Sequence, residues 1–97
     1  MTRLSDEEVR AALAEGLSAW EFRDDALHRT FRFDTFRAAM DFVDRVADEA
    51  EAADHHPDLL IRYTRVSITL STHTERGVTA KDVALARTID ALAGPEH

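Results

Sequence analysis

The chain contains no cysteine. Disulfide bonds, thiolate nucleophiles and cysteine-based zinc sites are therefore excluded. It also has no run of lysine or arginine, and its 12 basic residues are outnumbered by 19 acidic residues, which gives a formal net charge of -7. Because binding to a phosphate backbone needs clustered positive charge, no direct nucleic-acid partner is expected.

Long apolar segments are missing as well. No window approaches the roughly 18 apolar residues of a membrane-spanning helix, and the N-terminal residues do not resemble a signal peptide. We expect no membrane contact and a cytoplasmic location. The 97 residues, 44% of them hydrophobic, predict a single domain over 1–97. Because so small a domain gains core by pairing, a homodimer or homotetramer is expected.

Two capping-box patterns predict the first and the last helix. Ser5 with Glu8 precedes a predicted helix over 6–15. Thr79 with Asp82 precedes a predicted helix near the C-terminus, whose apolar residues recur at helical spacing. Glycine is expected to end both helices: Gly16 and Gly94-Pro95.

The longest predicted helix lies between these two. Asp34 is expected to cap it, and apolar residues keep a 3.6-residue period as far as Ala50. Pro57 cannot continue a helix, so the change from helix to strand is predicted close to His55-His56. The histidine pair is therefore expected at a helix C-terminus.

Four short segments have the composition of strands: 19–23, 26–33, 59–63 and 66–72. Two-residue turns are predicted within the two pairs: Asp24-Asp25 and Thr64-Arg65. Gly77 is expected to supply the turn of the loop that follows. The order α-β-β-α-β-β-α predicts an α+β fold, in which three helices cover one face of a four-stranded antiparallel sheet.

Three of the five histidines fall into two short clusters. His55-His56 ends the long helix, and His73 follows Ser71-Thr72 at the end of the last predicted strand. Because imidazole can both donate and accept a proton near neutral pH, a converging trio predicts acid–base catalysis. Glu51 lies four residues before His55 on the same helix face, and its carboxylate is predicted to orient that ring.

Each of these signals also has a structural interpretation. Glu51 and His55 could form a solvated pair, and His56 could be an exposed loop residue. His73 alone is more typical of a strand-end histidine bonded to a loop, and Asp82 is explained by helix capping. No metal site is predicted, because adjacent histidines point apart and no His-x-His or His-x₃-His spacing occurs. A binding or assembly module that pairs through its sheet edges is the alternative to an enzyme.

One ordered set of residues extends from the end of the long helix to the last helix: Glu51-x₃-His55-His56-Pro57-Asp58, Tyr63, Val66-x-Ile68-x-Leu70, Thr72-His73, Gly77, Thr79 and Asp82. In order and spacing this set resembles the pterin-4a-carbinolamine dehydratase family. The resemblance covers most of the chain and implies the same α+β fold. Two departures are visible: Thr74 stands where many relatives carry an acid, and Leu59-Leu60 replaces an aromatic residue.

The resemblance implies an enzyme that removes water from a 4a-hydroxytetrahydropterin, giving the quinonoid dihydropterin during tetrahydropterin recycling. It implies no metal and no organic cofactor. His55 and His73 match the catalytic positions, and His56 completes the trio and orients the substrate. Glu51 is expected behind His55, and Asp82 near His73. The residues expected to bind the pterin are these: Glu51, His56, Pro57, Ser71, Thr72 and Asp82. No second role as a protein-binding cofactor is indicated by the sequence.

Overall fold

The computed structural model describes residues 2–94 and has the predicted element order. Its helices are α1 (Asp6–Ala14), α2 (Phe36–Ala53) and α3 (Ala80–Ala93), with a 3₁₀ turn over His73–Glu75. Its strands are β1 (Glu21–Arg23), β2 (Ala26–Arg32), β3 (Asp58–Arg62) and β4 (Arg65–Leu70). The strands form one antiparallel sheet in the order β1-β2-β4-β3. The predicted α+β fold is confirmed.

One face of the sheet carries the helices and the core. In β4 the alternating residues Val66, Ile68 and Leu70 are buried, as the period of two predicts. They pack with apolar side chains of β2 and of the helices, and the ring centroid of Phe31 lies 5.0 Å from that of Phe42 of α2, with the two rings tilted at 46°. No helix of the described residues covers the other face, where polar side chains of the same strands are exposed or half-buried.

The caps of the outer helices form as predicted. Ser5 and Glu8 exchange the two hydrogen bonds of a capping box, and so do Thr79 and Asp82. Gly94 caps α3, whereas Pro95 lies outside the described residues. None of the described helices is long and apolar enough to cross a membrane.

Three local predictions were wrong by one residue. Thr35 caps α2 in place of Asp34, because Thr35 has the extended backbone and its hydroxyl accepts from the Ala38 N–H at 3.0 Å. The β3–β4 turn is formed by Tyr63 and Thr64, with Tyr63 at φ +53°, and Arg65 already pairs with Arg62. Gly77 was expected to form the turn of the loop after β4, but Arg76 has the left-handed backbone there, with φ +56°, and Gly77 pairs with Thr72.

The turn between β1 and β2 lies at the predicted pair. Asp24 and Asp25 both have positive φ, +52° and +58°. Two such residues in succession give the turn whose twist matches a two-residue hairpin, and aspartate tolerates this conformation better than most residues.

Candidate active site

A cleft of about 320 Å³ opens where β3 begins and β4 ends. It is lined by residues from both predicted histidine clusters and from the start of α3: Asp54, His55, His56, Ser71, Thr72, His73, Thr74 and Lys81. The antiparallel pairing of β3 with β4 brings the residues before β3 next to the residues after β4. Two histidine clusters that are 17 positions apart in the chain therefore meet at one end of the sheet, and the cleft has the size of a small-molecule site.

His55 and His56 follow the end of α2 and line the cleft. Asp54 has a left-handed backbone with φ +50°, and the N–H of His55 bonds to the carbonyl of Ala50 at 3.1 Å. This is the hydrogen bond of a helix that ends on a left-handed residue. Because the helix ends there, the side chains of His55 and His56 point to different parts of the fold and bond to different carboxylates.

His55 is held by a buried carboxylate. Its Nε2 lies 2.5 Å from Oδ1 of Asp82, with the His55 side chain 10% exposed and the Asp82 side chain fully buried. A carboxylate only accepts hydrogen bonds, so Nε2 carries the hydrogen and Nδ1 is the nitrogen left for proton exchange. The prediction that Glu51 lies behind His55 was wrong, because Asp82 occupies that place.

Asp82 is placed by a chain of hydroxyl groups. Its second oxygen, Oδ2, accepts from the hydroxyl of Thr72 at 2.8 Å and from the backbone N–H of Thr79 at 2.9 Å. Because the only hydroxyl hydrogen of Thr72 goes to Asp82, the hydroxyl of Thr79 donates to Thr72 across 2.8 Å. Both carboxylate oxygens are thus occupied, as the burial of a charged group requires.

Glu51 bonds to the other histidine of the pair. Its Oε2 lies 2.8 Å from Nε2 of His56, and both side chains are exposed, 77% and 58% respectively. The predicted Glu51–His55 pair was wrong because it assumed that the helix continues through His55. The left-handed turn at Asp54 instead directs His56 back over the last turn of α2.

His73 lies on the 3₁₀ turn after β4 rather than on the strand itself. The turn is closed by hydrogen bonds between Thr72 and Gly77, at 2.8 and 3.4 Å. His73 is exposed and lines the cleft. Asp82 was expected near His73, but its oxygens accept hydrogen bonds from His55, Thr72 and Thr79 instead.

The remaining predicted site residues divide into two groups. Ser71 and Thr72 line the cleft, whereas Pro57 and Glu51 do not and Asp82 lies beneath it. Sequence reasoning did not identify three lining residues: Asp54, Thr74 and Lys81. Lys81 could have been found from its position directly before Asp82. The first turn of α3 buries Asp82 and places Lys81 at the cleft. Within residues 2–94, no group of three histidine or acidic side chains has the arrangement of a metal site.

The fold and the cleft together define an α+β protein with a histidine site at one end of its sheet. The sequence model named "Pterin 4 alpha carbinolamine dehydratase" matches residues 2–92, so the chain belongs to the pterin-4a-carbinolamine dehydratase family. Curated relatives cover nearly the whole chain. Proteins of Mycobacteroides abscessus and Thermomicrobium roseum, both named "Putative pterin-4-alpha-carbinolamine dehydratase", are 49% and 50% identical to it, over 97% and 96% of this chain and 99% of each relative.

Two solved structures resemble this one. A protein from Brucella melitensis, described as a transcriptional coactivator/pterin dehydratase, superimposes with a TM-score of 0.91 at 41% identity, covering 96% of this chain and all of that one. A pterin dehydratase-like protein, described as a RuBisCO assembly factor in the alpha-carboxysome, superimposes with a TM-score of 0.65 at 29% identity, covering 77% and 87%.

Proposed function

We propose that the protein dehydrates a pterin-4a-carbinolamine to the quinonoid dihydropterin in tetrahydropterin recycling, by histidine acid–base catalysis. The observation that carries the proposal is the buried Asp82 carboxylate, which fixes His55 at the wall of a cleft that His73 and His56 also line. Burying a charge is unfavourable unless the charge is paired, and the buried Asp82 carboxylate is paired with the His55 imidazole, which it orients. Family membership supplies the substrate class.

The reaction needs two proton transfers. The C4a–O bond breaks and the departing oxygen takes a proton from an acid, while a base removes the proton from N5. The electron pair of that N–H bond forms the C4a=N5 double bond, and water leaves. Because hydroxide is a poor leaving group, neither transfer alone is sufficient, and two imidazoles in opposite protonation states meet the requirement.

His55 is suited to be the base. With Nε2–H held by Asp82, its Nδ1 has a lone pair available, and among residues 2–94 no donor bonds to it. His73 has no fixed carboxylate partner in the described part of the chain and is exposed, so it can exchange protons with water and serve as the acid. This assignment uses the same two residues that match the family's catalytic positions.

Orientation of the pterin falls to the polar groups around the trio. The Thr72 hydroxyl is committed to Asp82 and its N–H to the carbonyl of Gly77, so of the residues expected to bind the pterin we assign Ser71 and His56 to bonding the flat heterocycle. We assign Glu51 to holding His56, Pro57 to fixing the chain after it, and Asp82 and Thr72 to positioning His55. Imidazole acid–base chemistry asks for no metal and no organic cofactor, and we propose a cytoplasmic homodimer or homotetramer.

The test is the decay of a 4a-carbinolamine generated in situ. The wild-type protein should accelerate it, and the double variant His55→Ala/His73→Ala should leave the uncatalysed rate. His28→Ala is the matched control, because His28 is bonded to Thr69 and to the Arg23 carbonyl away from the cleft. It should stay within about two-fold of wild type, as expected of a change remote from the site. Equal acceleration by wild type and double variant contradicts the proposal.

A protein-binding or dimerisation module is the second candidate. Among residues 2–94, the outer edge of β3 is unpaired. Leu59 and Leu60 of this strand are 36 and 53% exposed, and Tyr63 of the following turn is 73% exposed. One structural relative is described as an assembly factor. This function predicts a complex that survives loss of His55, His56 and His73, with no effect of the protein on carbinolamine decay.

A further inference from the structure

The helix-free face of the sheet carries three arginines in one row. Arg32 of β2 is directly opposite Arg65 of β4, and Arg65 is directly opposite Arg62 of β3. Paired residues of an antiparallel ladder point to the same face, and all three are exposed. Strands lie about 4.8 Å apart, so three positive charges fall within roughly 10 Å. We call Arg32, Arg65 and Arg62 the arginine row.

This arrangement is unfavourable in the protein alone. Like charges directly opposite each other on neighbouring strands repel. Within residues 2–94, the side chains of Arg62 and Arg65 form no hydrogen bond and no ion pair. The chain has a net charge of -7, so acidic residues are abundant, yet none is paired with these two guanidinium groups. Arg62 and Arg65 therefore face each other with no acidic partner in the part of the chain that the structure describes, which favours an external anion as their partner.

Polar donors adjoin the row. The next rung of the ladder holds Thr30, Ser67 and Leu60, and the two hydroxyl oxygens lie 2.8 Å apart. Such a pair uses one hydroxyl hydrogen internally and keeps the other for a ligand. These three residues and the arginine row line one depression of about 280 Å³.

We propose that this depression binds a small phosphate-class oxyanion with one or two phosphoryl groups. Guanidinium groups bond to tetrahedral oxyanions through two parallel N–H donors, and the three positive charges of the row suit a multiply charged anion better than a single carboxylate. The length of the row also sets the size of the ligand. Glu21 and Asp58 lie two rungs further along the same face, where they would repel an extended phosphate chain.

The proposed anion site is separate from the histidine cleft. His55 to Pro57 precede the first residue of β3, whereas Arg62 is its last; Arg65 is the first residue of β4, whereas Ser71 follows its end. A five-residue strand separates the two sites by roughly 17 Å. Anion binding at this depression is therefore independent of dehydratase activity.

The test is calorimetric titration of the full chain with pyrophosphate and with inorganic phosphate. We expect saturable binding that weakens at least about ten-fold in Arg62→Gln/Arg65→Gln, because charge-assisted hydrogen bonds are lost. Arg37→Gln, an exposed arginine on α2, is the control and should bind within about two-fold of wild type. Pyrophosphate should raise the melting temperature of the wild type and of Arg37→Gln, but not that of the double variant.

Three outcomes would overturn the proposal. The first is absence of saturable pyrophosphate binding by the wild type, and the second is unchanged affinity in the double variant. The third is tighter binding of hexaglutamate or of a 12-nucleotide single strand than of pyrophosphate, which would assign the row to an acidic peptide or to a nucleic acid. Folding of the double variant is checked by its circular dichroism spectrum, and loss of an exposed repulsive pair is not expected to lower its stability.

Discussion

Adjacent histidines at the end of α2 form the same hydrogen bond in two different environments. His55 and His56 each place Nε2 against a carboxylate oxygen, at 2.5 and 2.8 Å. The pair of His55 with Asp82 is 10% and 0% exposed, whereas the pair of His56 with Glu51 is 58% and 77% exposed. The donor and acceptor types are alike, so the difference between the pairs is one of burial and support.

That difference decides what each pair can do. The Asp82 carboxylate is fixed by Thr72 and Thr79 as well as by His55, so it has one position and holds the ring in one tautomer. Within the described residues, the Glu51 carboxylate is bonded to His56 alone and is exposed to solvent, where ion pairs contribute little. We therefore expect large effects from changing the first carboxylate and small effects from changing the second.

The largest effect is expected for Asp82→Asn. The amide oxygen of the asparagine can still accept from Thr72 and Thr79, which leaves its NH₂ group facing Nε2 of His55. That nitrogen must then accept, so the hydrogen moves to Nδ1 and the base is lost. We expect kcat/KM for carbinolamine dehydration to fall by about 100-fold or more. The ¹⁵N shifts of the His55 ring should show the change of tautomer independently of activity.

Glu8→Gln is the matched control for this substitution. Glu8 closes the capping box as the third residue of α1, as Asp82 does in α3, but it is exposed and its hydrogen bonds are to Ser5. It should leave kcat/KM within about two-fold of wild type. A folded Asp82→Asn protein with wild-type kcat/KM and an unchanged His55 tautomer would contradict the role of the buried pair.

A smaller effect is expected for Glu51→Gln. The exposed pair with His56 is worth at most about 1 kcal/mol, so kcat/KM should fall by less than about five-fold. The loss should appear in KM rather than in kcat, because His56 is assigned to orienting the substrate. The measurement is steady-state kinetics at low and at high salt, and the difference from wild type should shrink as salt rises.

Asp48→Asn, another exposed acid on α2, serves as the reference for a general change of surface charge. If Glu51→Gln reduced kcat as strongly as Asp82→Asn, burial would not be what distinguishes the two pairs.

The sequence predicted the elements and their order because those depend on local patterns. Alternation in β4 placed Val66, Ile68 and Leu70 on one face, and both capping boxes were visible as short motifs. The pairing of Asp82 with His55 was not visible, because it joins residues 27 positions apart and depends on how α2 packs against α3. A capping motif that remains exposed and one that enters a site look identical in sequence.

Local sequence patterns also did not predict the register in which β2, β3 and β4 pair. Arg32, Arg62 and Arg65 are separated in the chain and form no basic run, so composition predicted no anion site. The turn was expected at Thr64-Arg65, which would have removed Arg65 from the ladder. The actual turn at Tyr63 and Thr64 brings Arg62 opposite Arg65 and completes the row.

The smallest effect concerns the exposed capping box and is seen in stability rather than in activity. The backbone N–H of Ser5 bonds to the Glu8 carboxylate at 2.9 Å and, with a smaller contribution from the Ser5 hydroxyl, holds the pKa of Glu8 below its ordinary value. A carboxyl whose pKa is lowered by folding adds stability above its unfolded pKa, and this stability is lost as the pH falls through the folded value. Melting temperatures of wild type and Glu8→Gln should therefore differ slightly at neutral pH and converge in acid. A gap that persists below the lowered pKa would show that the glutamine weakens α1 by some route other than the loss of this charge.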